Sequence, residues 1–414
     1  MKGGICMTIF LRKFFNKKVI YCVLVVIFLS ICVYDATEIF AKDSLRLYAS
    51  SYALTDGSTG RVLAGKNESS AMANASTTKI LTCIITLENC NLDEMVVISE
   101  EAASQPKVRL GMGEGEKYPL RDMLYGLMLE SYNDCAVAIA EHVAGSTEGF
   151  ANMMNQKAIE IGCENTFFIT PNGLDQEKGN QFHHTTATDL CKIMAYCVWE
   201  SPLKDMFLEI TQTKEYCGTA NNNTYTFVNR NALLGQIDGL LSGKTGYTAK
   251  AGYCYVAAYE KEGEKYCVAL LACGWPNNKT WKWQDTRALL DYARSNFDIK
   301  KVTVEEMKEQ IIVDGYIYPP QFALLNQKDM VQVIAEEHEY TVLLGQNEKV
   351  RKELLLYSNT ILPIEKGQIM GQCNIYIEDT LLDTIMLVSE DVSKAWELKD
   401  VIKVILSRFL TFSS

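Results

Sequence analysis

The chain has 414 residues, 48% apolar and 22% charged, enough for a substantial core and more than one domain. With 40 Lys and Arg against 51 Asp and Glu, its formal net charge is −11, which argues against a nucleic-acid partner bound through a basic surface. Its four histidines, His142, His183, His184 and His338, form no H-E-x-x-H pair, so they are expected to be structural or superficial, with no metal and no cofactor.

The chain opens on a basic region, Lys2, Arg12, Lys13, Lys17 and Lys18, followed by an apolar run from Val19 to Val33. This pattern predicts a signal peptide or signal anchor over 1–41, with Ile39-Phe40-Ala41 as a tolerable cleavage site. An uncleaved span is the alternative, although the run is short for one. Either way the remainder is expected to be exported. Most of the 14 cysteines sit inside apolar runs and none forms C-x-x-C. They are expected to be buried free thiols acting as small hydrophobes.

Beyond the leader, two short β-prone runs, Ala49 to Thr55 and Arg61 to Ala64, flank the Gly-rich turn Asp56 to Gly60, which predicts a hairpin. Next comes Ala75-Ser76-Thr77-Thr78-Lys79, running directly into an apolar stretch with helical spacing, Ile80 to Leu87. Ser76 and Lys79 stand three apart and therefore on one helical face. A serine needs a neighbouring base, and a desolvated lysine can be that base. Taken alone, the pair also fits an ordinary helix start.

The glycine-bearing segment Gln105 to Glu116 reads as a loop, and Leu120 to Leu129 as a helix. Further helices are expected over Asp134 to Val143, ended by Gly145, over Glu148 to Ile161, capped by Ser146-Thr147, and over Thr185 to Val198. In the last, Asp189 follows Thr186 by three residues as a partial capping box. The period then changes. Gly252 to Tyr259 and Tyr266 to Cys273 predict a second hairpin, and Asp285 to Arg294 another helix. The expected fold class is α+β: an antiparallel sheet packed against helices, with an inserted helical lobe.

After about Asn296 the character shifts to short β-prone runs, at 310–313, 331–334, 340–343, 374–377 and 385–388. They predict a separate small all-β domain. The chain closes on an amphipathic helix. Leu398, Ile402, Ile405, Phe409 and Phe412 form its apolar face, with Trp396, Val401 and Leu406 widening it. Such a helix suits a membrane interface or docking on the β domain or a dimer partner. The expected domains are 1–41, 42–297, 298–391 and 392–414.

Two further motifs stand with Ser76-x-x-Lys79. Ser131-Tyr132-Asn133 lies between two predicted helices, and Gly243-Lys244-Thr245-Gly246 directly precedes the second hairpin. Each is uninformative alone. Together, in this order and context, they resemble the S-x-x-K, S-x-N, K-T-G set of penicillin-binding proteins and serine β-lactamases. The segments around them, with Leu124 to Leu129, Asn133-Asp134, Pro171-Asn172-Gly173-Leu174 and Tyr247-Thr248, look like those of low-molecular-mass D-alanyl-D-alanine carboxypeptidases. The likeness covers roughly Leu47 to Phe297. The β segment resembles that family's C-terminal domain, and the amphipathic end its membrane anchor. Tyr132 departs from the pattern, standing where many members have glycine, and a tighter backbone is expected there.

The resemblance implies a penicillin-binding fold and a DD-carboxypeptidase that trims the peptidoglycan pentapeptide stem. Ser76 would attack the carbonyl between two D-alanines and Lys79, neutral, would accept its proton. Ser131 would relay that proton to the leaving nitrogen, and Asn133 would hold the substrate amide and orient Lys79. Lys244 would keep Lys79 deprotonated and attract the terminal carboxylate, which Thr245 would also bind. Backbone N–H groups of Ser76 and Tyr247, the latter next to Gly246, would form the oxyanion hole. Members commonly carry an arginine after the hairpin; here Lys282, with Lys279 second, stands nearest that position in the segment before the Asp285 helix. β-Lactams would act as covalent inhibitors, and the C-terminal helix would bind the membrane surface. A serine β-lactamase and a catalytically silent peptidoglycan-binding protein are the alternatives. Against the first, no E-x-x-L-N segment stands between Ser131 and Lys244. Against the second, the chemistry-bearing residues are all retained.

Overall fold

Residues 45–314, 327–357 and 361–411 are described in the computed structural model of the chain. The expected leader and Phe412 lie outside them. Strands β1 (Ser51–Asp56) and β2 (Val62–Lys66) pair antiparallel as expected. Asp56 closes their turn by accepting hydrogen bonds from Ser58 N and Thr59 Oγ1, both at 2.8 Å. A 3-10 turn, Ala75–Thr78, leads into helix α1 (Lys79–Asn89), which is buried from Lys79 to Leu87. A helix buried on all sides is a core element, here the axis of the N-terminal half.

Helix α2 (Leu120–Tyr125) continues as a wider π-type turn, Gly126–Glu130. Helix α3 (Asn133–Ala144) ends at Gly145, whose φ of 75° is the left-handed cap that glycine allows. Ser146 caps α4 (Thr147–Glu160) by accepting from Gly149 N. Thr186 caps α5 (Ala187–Ala195) by accepting from Asp189 N. The Asp189 carboxylate does not return to complete the box. It accepts instead from Glu164 N, Asn165 N and Thr166 Oγ1 of a neighbouring loop.

Helix α6 (Lys204–Gln212) and the hairpin of β3 (Glu215–Ala220) and β4 (Asn223–Val228) follow, neither of them expected from the sequence. Strands β5 (Leu240–Thr248), β6 (Gly252–Lys261) and β7 (Glu264–Leu271) complete an antiparallel sheet of five strands, ordered β2-β1-β7-β6-β5. The K-T-G residues thus lie on an edge strand. Helix α7 (Trp281–Asn296) begins four residues before the expected Asp285. Trp283 packs against Leu233, Leu240 and Tyr255 beneath the sheet. The main core lies on the sheet's other side, joining Ala53, Val256 and Ala269 to residues of α1, α2, α3 and α5.

The strands after α7 are β8 (Phe297–Val304), β9 (Met307–Asp314), β10 (Lys328–Ala335), β11 (His338–Gly345), β12 (Val350–Leu356), β13 (Ile369–Ile377) and β14 (Thr380–Ser389). They form a five-stranded sheet ordered β9-β10-β14-β13-β12 and a two-stranded β8-β11 ribbon around Val304, Val331, Val333, Ile375 and Leu387. The two halves are clasped by Arg61. Its guanidinium donates to Glu348 Oε1 at 2.5 Å and Leu343 O at 2.7 Å, and lies 5.8 Å from the Phe297 ring centre. Helix α8 (Leu398–Thr411) closes the described chain, with Leu398, Ile402, Ile405 and Leu406 exposed. Among the described residues no helix is long and apolar enough to cross a membrane. The described cysteines are free and most are buried.

Candidate active site

The site begins at the turn before α1. Ala75, at φ 49°, bends the chain so that Ser76 stands on the 3-10 turn and Lys79 on the first residue of the α-helix. Gly173 is packed on that bend, where a Cβ would stand 1.9 Å from Ala75 O. Thr82 Oγ1 donates to Pro171 O at 2.7 Å, tying the same Pro-Asn-Gly loop to α1. His183 adds a further tie. Its Nδ1 accepts from Ile169 N at 3.0 Å, leaving Nε2 to donate to Thr78 Oγ1 at 2.9 Å. Burial depresses its pKa to about 3, so this histidine is a neutral structural link.

Lys79 is fully buried, and its amine is the hub of the site. Nζ lies 2.9 Å from Ser76 Oγ, 2.8 Å from Asn133 Oδ1, 3.0 Å from Ser131 O and 3.4 Å from Ser131 Oγ. Its pKa is held well below the ordinary lysine value, first by burial and then by the nearby Lys244 charge. A neutral amine in hydrogen-bond reach of a serine hydroxyl can take its proton.

Ser131 and Asn133 reach this amine from the turn between α2 and α3. Ser131 takes a left-handed backbone, φ 67°, after the π-type turn. Tyr132 itself is ordinary extended backbone, φ −65° and ψ 131°. The tight backbone expected at Tyr132 therefore falls one residue earlier. The Tyr132 ring rests edge-on against Phe227 of β4, centroids 5.6 Å apart, over Gly126. Asn133 is fixed through N to Val108 O at 2.8 Å and Nδ2 to Pro106 O at 3.2 Å.

Strand β5 brings Lys244, Thr245, Gly246 and Tyr247 against the Ser76 turn. A Cβ on Gly246 would stand 2.9 Å from both Asn74 O and Ser76 N, so only glycine lets the strand approach so closely. Lys244 is buried, donates to Thr245 O at 3.1 Å, and has its pKa lowered to about 7 by burial. Ser76, Ser131, Asn133, Thr245, Gly246, Tyr247 and Lys282 line one cleft of about 640 Å³. Lys282 comes from the first turn of α7 rather than a preceding loop. It is buried, with Nζ 4.6 Å from the Tyr253 ring centre and 4.5 Å from that of Trp283. It donates to Lys279 O, and burial lowers its pKa to about 8.

Sequence reasoning missed Arg230, which lines the same cleft with its side chain 66% exposed. Glu130 holds it, accepting from Arg230 Nε at 2.7 Å and from Val228 N at 2.9 Å. The signal would have been the β3-β4 hairpin that delivers it, which the sequence pattern did not reveal.

Residues 38–272 match the D-alanyl-D-alanine carboxypeptidase family, and 308–394 the penicillin-binding protein 5 C-terminal domain. The chain is 29% identical over 364 residues to the D-alanyl-D-alanine carboxypeptidase DacF of Bacillus subtilis, covering 84% of this chain and 86% of that one. It is 30% identical over 245 residues to DacB2 of Mycobacterium tuberculosis, covering 59% and 81%. The solved structure of penicillin-binding protein 5 from Haemophilus influenzae is similar with a TM-score of 0.63 at 25% identity, covering 84% and 98%.

Proposed function

The chain belongs to the D-alanyl-D-alanine carboxypeptidase family and is a serine-type hydrolase, and from that premise we propose how its own residues remove the terminal D-alanine of a peptidoglycan pentapeptide stem. The observation that carries the reading is the buried Lys79 amine held between Ser76 and Asn133. Neutral Lys79 takes the Ser76 proton as Oγ attacks the carbonyl between the two D-alanines. The negative charge that develops on the carbonyl oxygen is met by backbone N–H groups of Ser76 and Tyr247, which the close approach of Gly246 to the Ser76 turn supports. Ser131, whose Oγ is 3.4 Å from Lys79 Nζ, passes the proton to the departing D-alanine nitrogen. Water then releases the shortened stem.

Carboxylate recognition falls to Thr245, Lys244 and Lys282. A terminal carboxylate entering beside Lys244 and Lys282 restores the charge that burial works against. Lys282 takes the place of a forked guanidinium with a point charge caged by two rings. β-Lactams are covalent inhibitors on this reading because they present the same carbonyl and carboxylate to the same groups. The catalytic half acts outside the cell, and the exposed apolar residues of α8 support anchorage in a membrane interface.

The test uses labelled penicillin and a pentapeptide muropeptide. Wild type is expected to form a long-lived adduct on Ser76 and to release one D-alanine. Ser76→Ala is expected to lose both while keeping its circular dichroism spectrum. Near-normal labelling of Ser76→Ala would remove Ser76 from the mechanism, and rapid penicillin turnover by wild type would make the chain a β-lactamase.

A further inference from the structure

At the end of α1 far from Ser76, three side chains of metal-ligating type converge: Cys90, Glu94 and His142. One atom of each, the thiol sulfur, a carboxylate oxygen and an imidazole nitrogen, lies within 4.8 Å of the other two. None of the three lines the cleft. Cys90 caps α1, its N–H donating to Thr86 O at 3.0 Å, and it is a half-buried free thiol packed on the main core. Glu94 follows at the end of the turn that begins at Asn91. Its Oε1 accepts from Asn91 N at 2.8 Å, and its carbonyl accepts from Leu120 N at 2.9 Å at the start of α2, so the turn holds the carboxylate in place. His142 stands in the last turn of α3, with Nε2 2.7 Å from Glu94 Oε2. The sequence hides the group, since Glu94 and His142 are 48 residues apart.

We propose that Cys90, Glu94 and His142 form a structural site for one zinc-class divalent ion, which staples the C-terminal ends of α1 and α3 together. Thiolate, imidazole and carboxylate are together the donor set of a borderline-soft ion, whereas calcium and magnesium take oxygen ligands. A tetrahedral zinc holds such donors about 3.3–3.6 Å apart, which small rotations of these side chains reach. On binding, the thiol gives its proton to water, and the neutral imidazole coordinates through Nε2 with its proton on Nδ1. The ion thus replaces the hydrogen bond between Glu94 and His142. Their side chains are 43% and 22% exposed, so water completes the fourth position. Helices α1 and α3 begin at Lys79 and Asn133. At 1.5 Å per helical residue the ion stands about 14–17 Å from those residues. Its occupancy therefore stabilises the scaffold and leaves the chemistry alone.

The test uses the full chain, reduced and stripped of metal with a chelator. Cobalt(II) is expected to bind once per chain and to give a thiolate-to-cobalt charge-transfer band. Zinc is expected to displace the cobalt and to raise the melting temperature, as any ligand of the folded state does. Cys90→Ser is expected to lose the band although the other described cysteines remain. His142→Ala and Glu94→Gln are each expected to weaken zinc binding by more than about tenfold, since even a group that only orients a ligand contributes that much. Glu94→Gln retains an amide oxygen for the Asn91 N–H, so its loss reads the charge and not the turn. Circular dichroism of the metal-free variants checks that they fold; should Cys90→Ser not fold, His142→Ala decides. The site would be overturned by the absence of the band in wild type, by an undiminished band in Cys90→Ser, or by undiminished zinc affinity in His142→Ala. It would equally be overturned if calcium raised the melting temperature as much as zinc does.

Discussion

Three buried lysines, Lys79, Lys244 and Lys282, stand at this site in three environments, and burial lowers the pKa of each. In the proposed mechanism Lys79 works as the neutral amine, so its depressed pKa favours acylation. In the proposed mechanism Lys244 and Lys282 work as cations. Their charged forms exist below their pKa values and are lost as pH rises through about 7 and about 8, respectively. In the free enzyme, kcat/KM for a substrate with a terminal carboxylate is therefore expected to fall on that alkaline side. An uncharged-end ester should lack this limb, and paired pH profiles would check it. Lys282→Ala is expected to cost carboxylate-ended substrate about tenfold in kcat/KM and the ester little, the size of one charge-assisted hydrogen bond. Equal loss on both would show that Lys282 only holds α7. Ser76, Lys79, Ser131, Asn133, Lys244, Thr245, Gly246 and Tyr247 were all legible in the sequence because motif spacing names them. The environment of Lys282 was not, because nothing local shows that Tyr253 and Trp283 enclose it.

Among the elements, the β3-β4 hairpin governs the Ser131 turn. Asp122 of α2 accepts hydrogen bonds from Tyr216 and Tyr225, both at 2.5 Å, and so pins the hairpin to the helix. Burial, then Asp122, raises both phenols, which stay protonated donors. Tyr125 stacks on Tyr216 at 3.9 Å, Tyr225 on Phe227 at 5.0 Å, and Phe227 bears on Tyr132. Asp122→Ala is expected to destabilise the protein by about 2–4 kcal/mol, since it leaves two half-buried hydroxyls without their charged acceptor. It should also slow acylation by penicillin while sparing the affinity of the carboxylate contacts. Thermal unfolding and stopped-flow acylation would measure the two effects. The hairpin was invisible in the sequence because its residues alternate small, polar and aromatic with no clean apolar face; its burial comes from Asp122 and the neighbouring rings. The helices with caps and the β6-β7 hairpin were legible, since Ser146, Thr186 and Gly145 carry their signals locally.

For the whole molecule, the Arg61 clasp couples the catalytic half to the β domain. Arg61→Ala is expected to cost about 1–3 kcal/mol, the range for hydrogen bonds to a charged group. It should also separate one calorimetric transition into two as the halves melt independently. An unchanged single transition would show that the clasp carries no coupling. Removing the chain from Trp396 onward is expected to free the protein from membranes where the leader has been cleaved at Ala41. Continued pelleting would place the anchor elsewhere. Neither Arg61 nor its partners stood out in the sequence, since residues 61 and 348 meet only through the fold.

The clasp also sets a geometry for the work. On the proposed anchorage of α8 in a membrane interface, the β sheets, joined to the catalytic half through a nearly buried guanidinium, would carry the cleft as if on a short stalk. Its height above the lipid is then a property of the fold rather than of a swinging tether. Stems would be trimmed within one narrow layer of the wall, and those hanging nearer or farther would keep both terminal D-alanines. Loosening Arg61 would turn that fixed gauge into a wandering one, blurring where trimming occurs without changing how fast each cleavage runs.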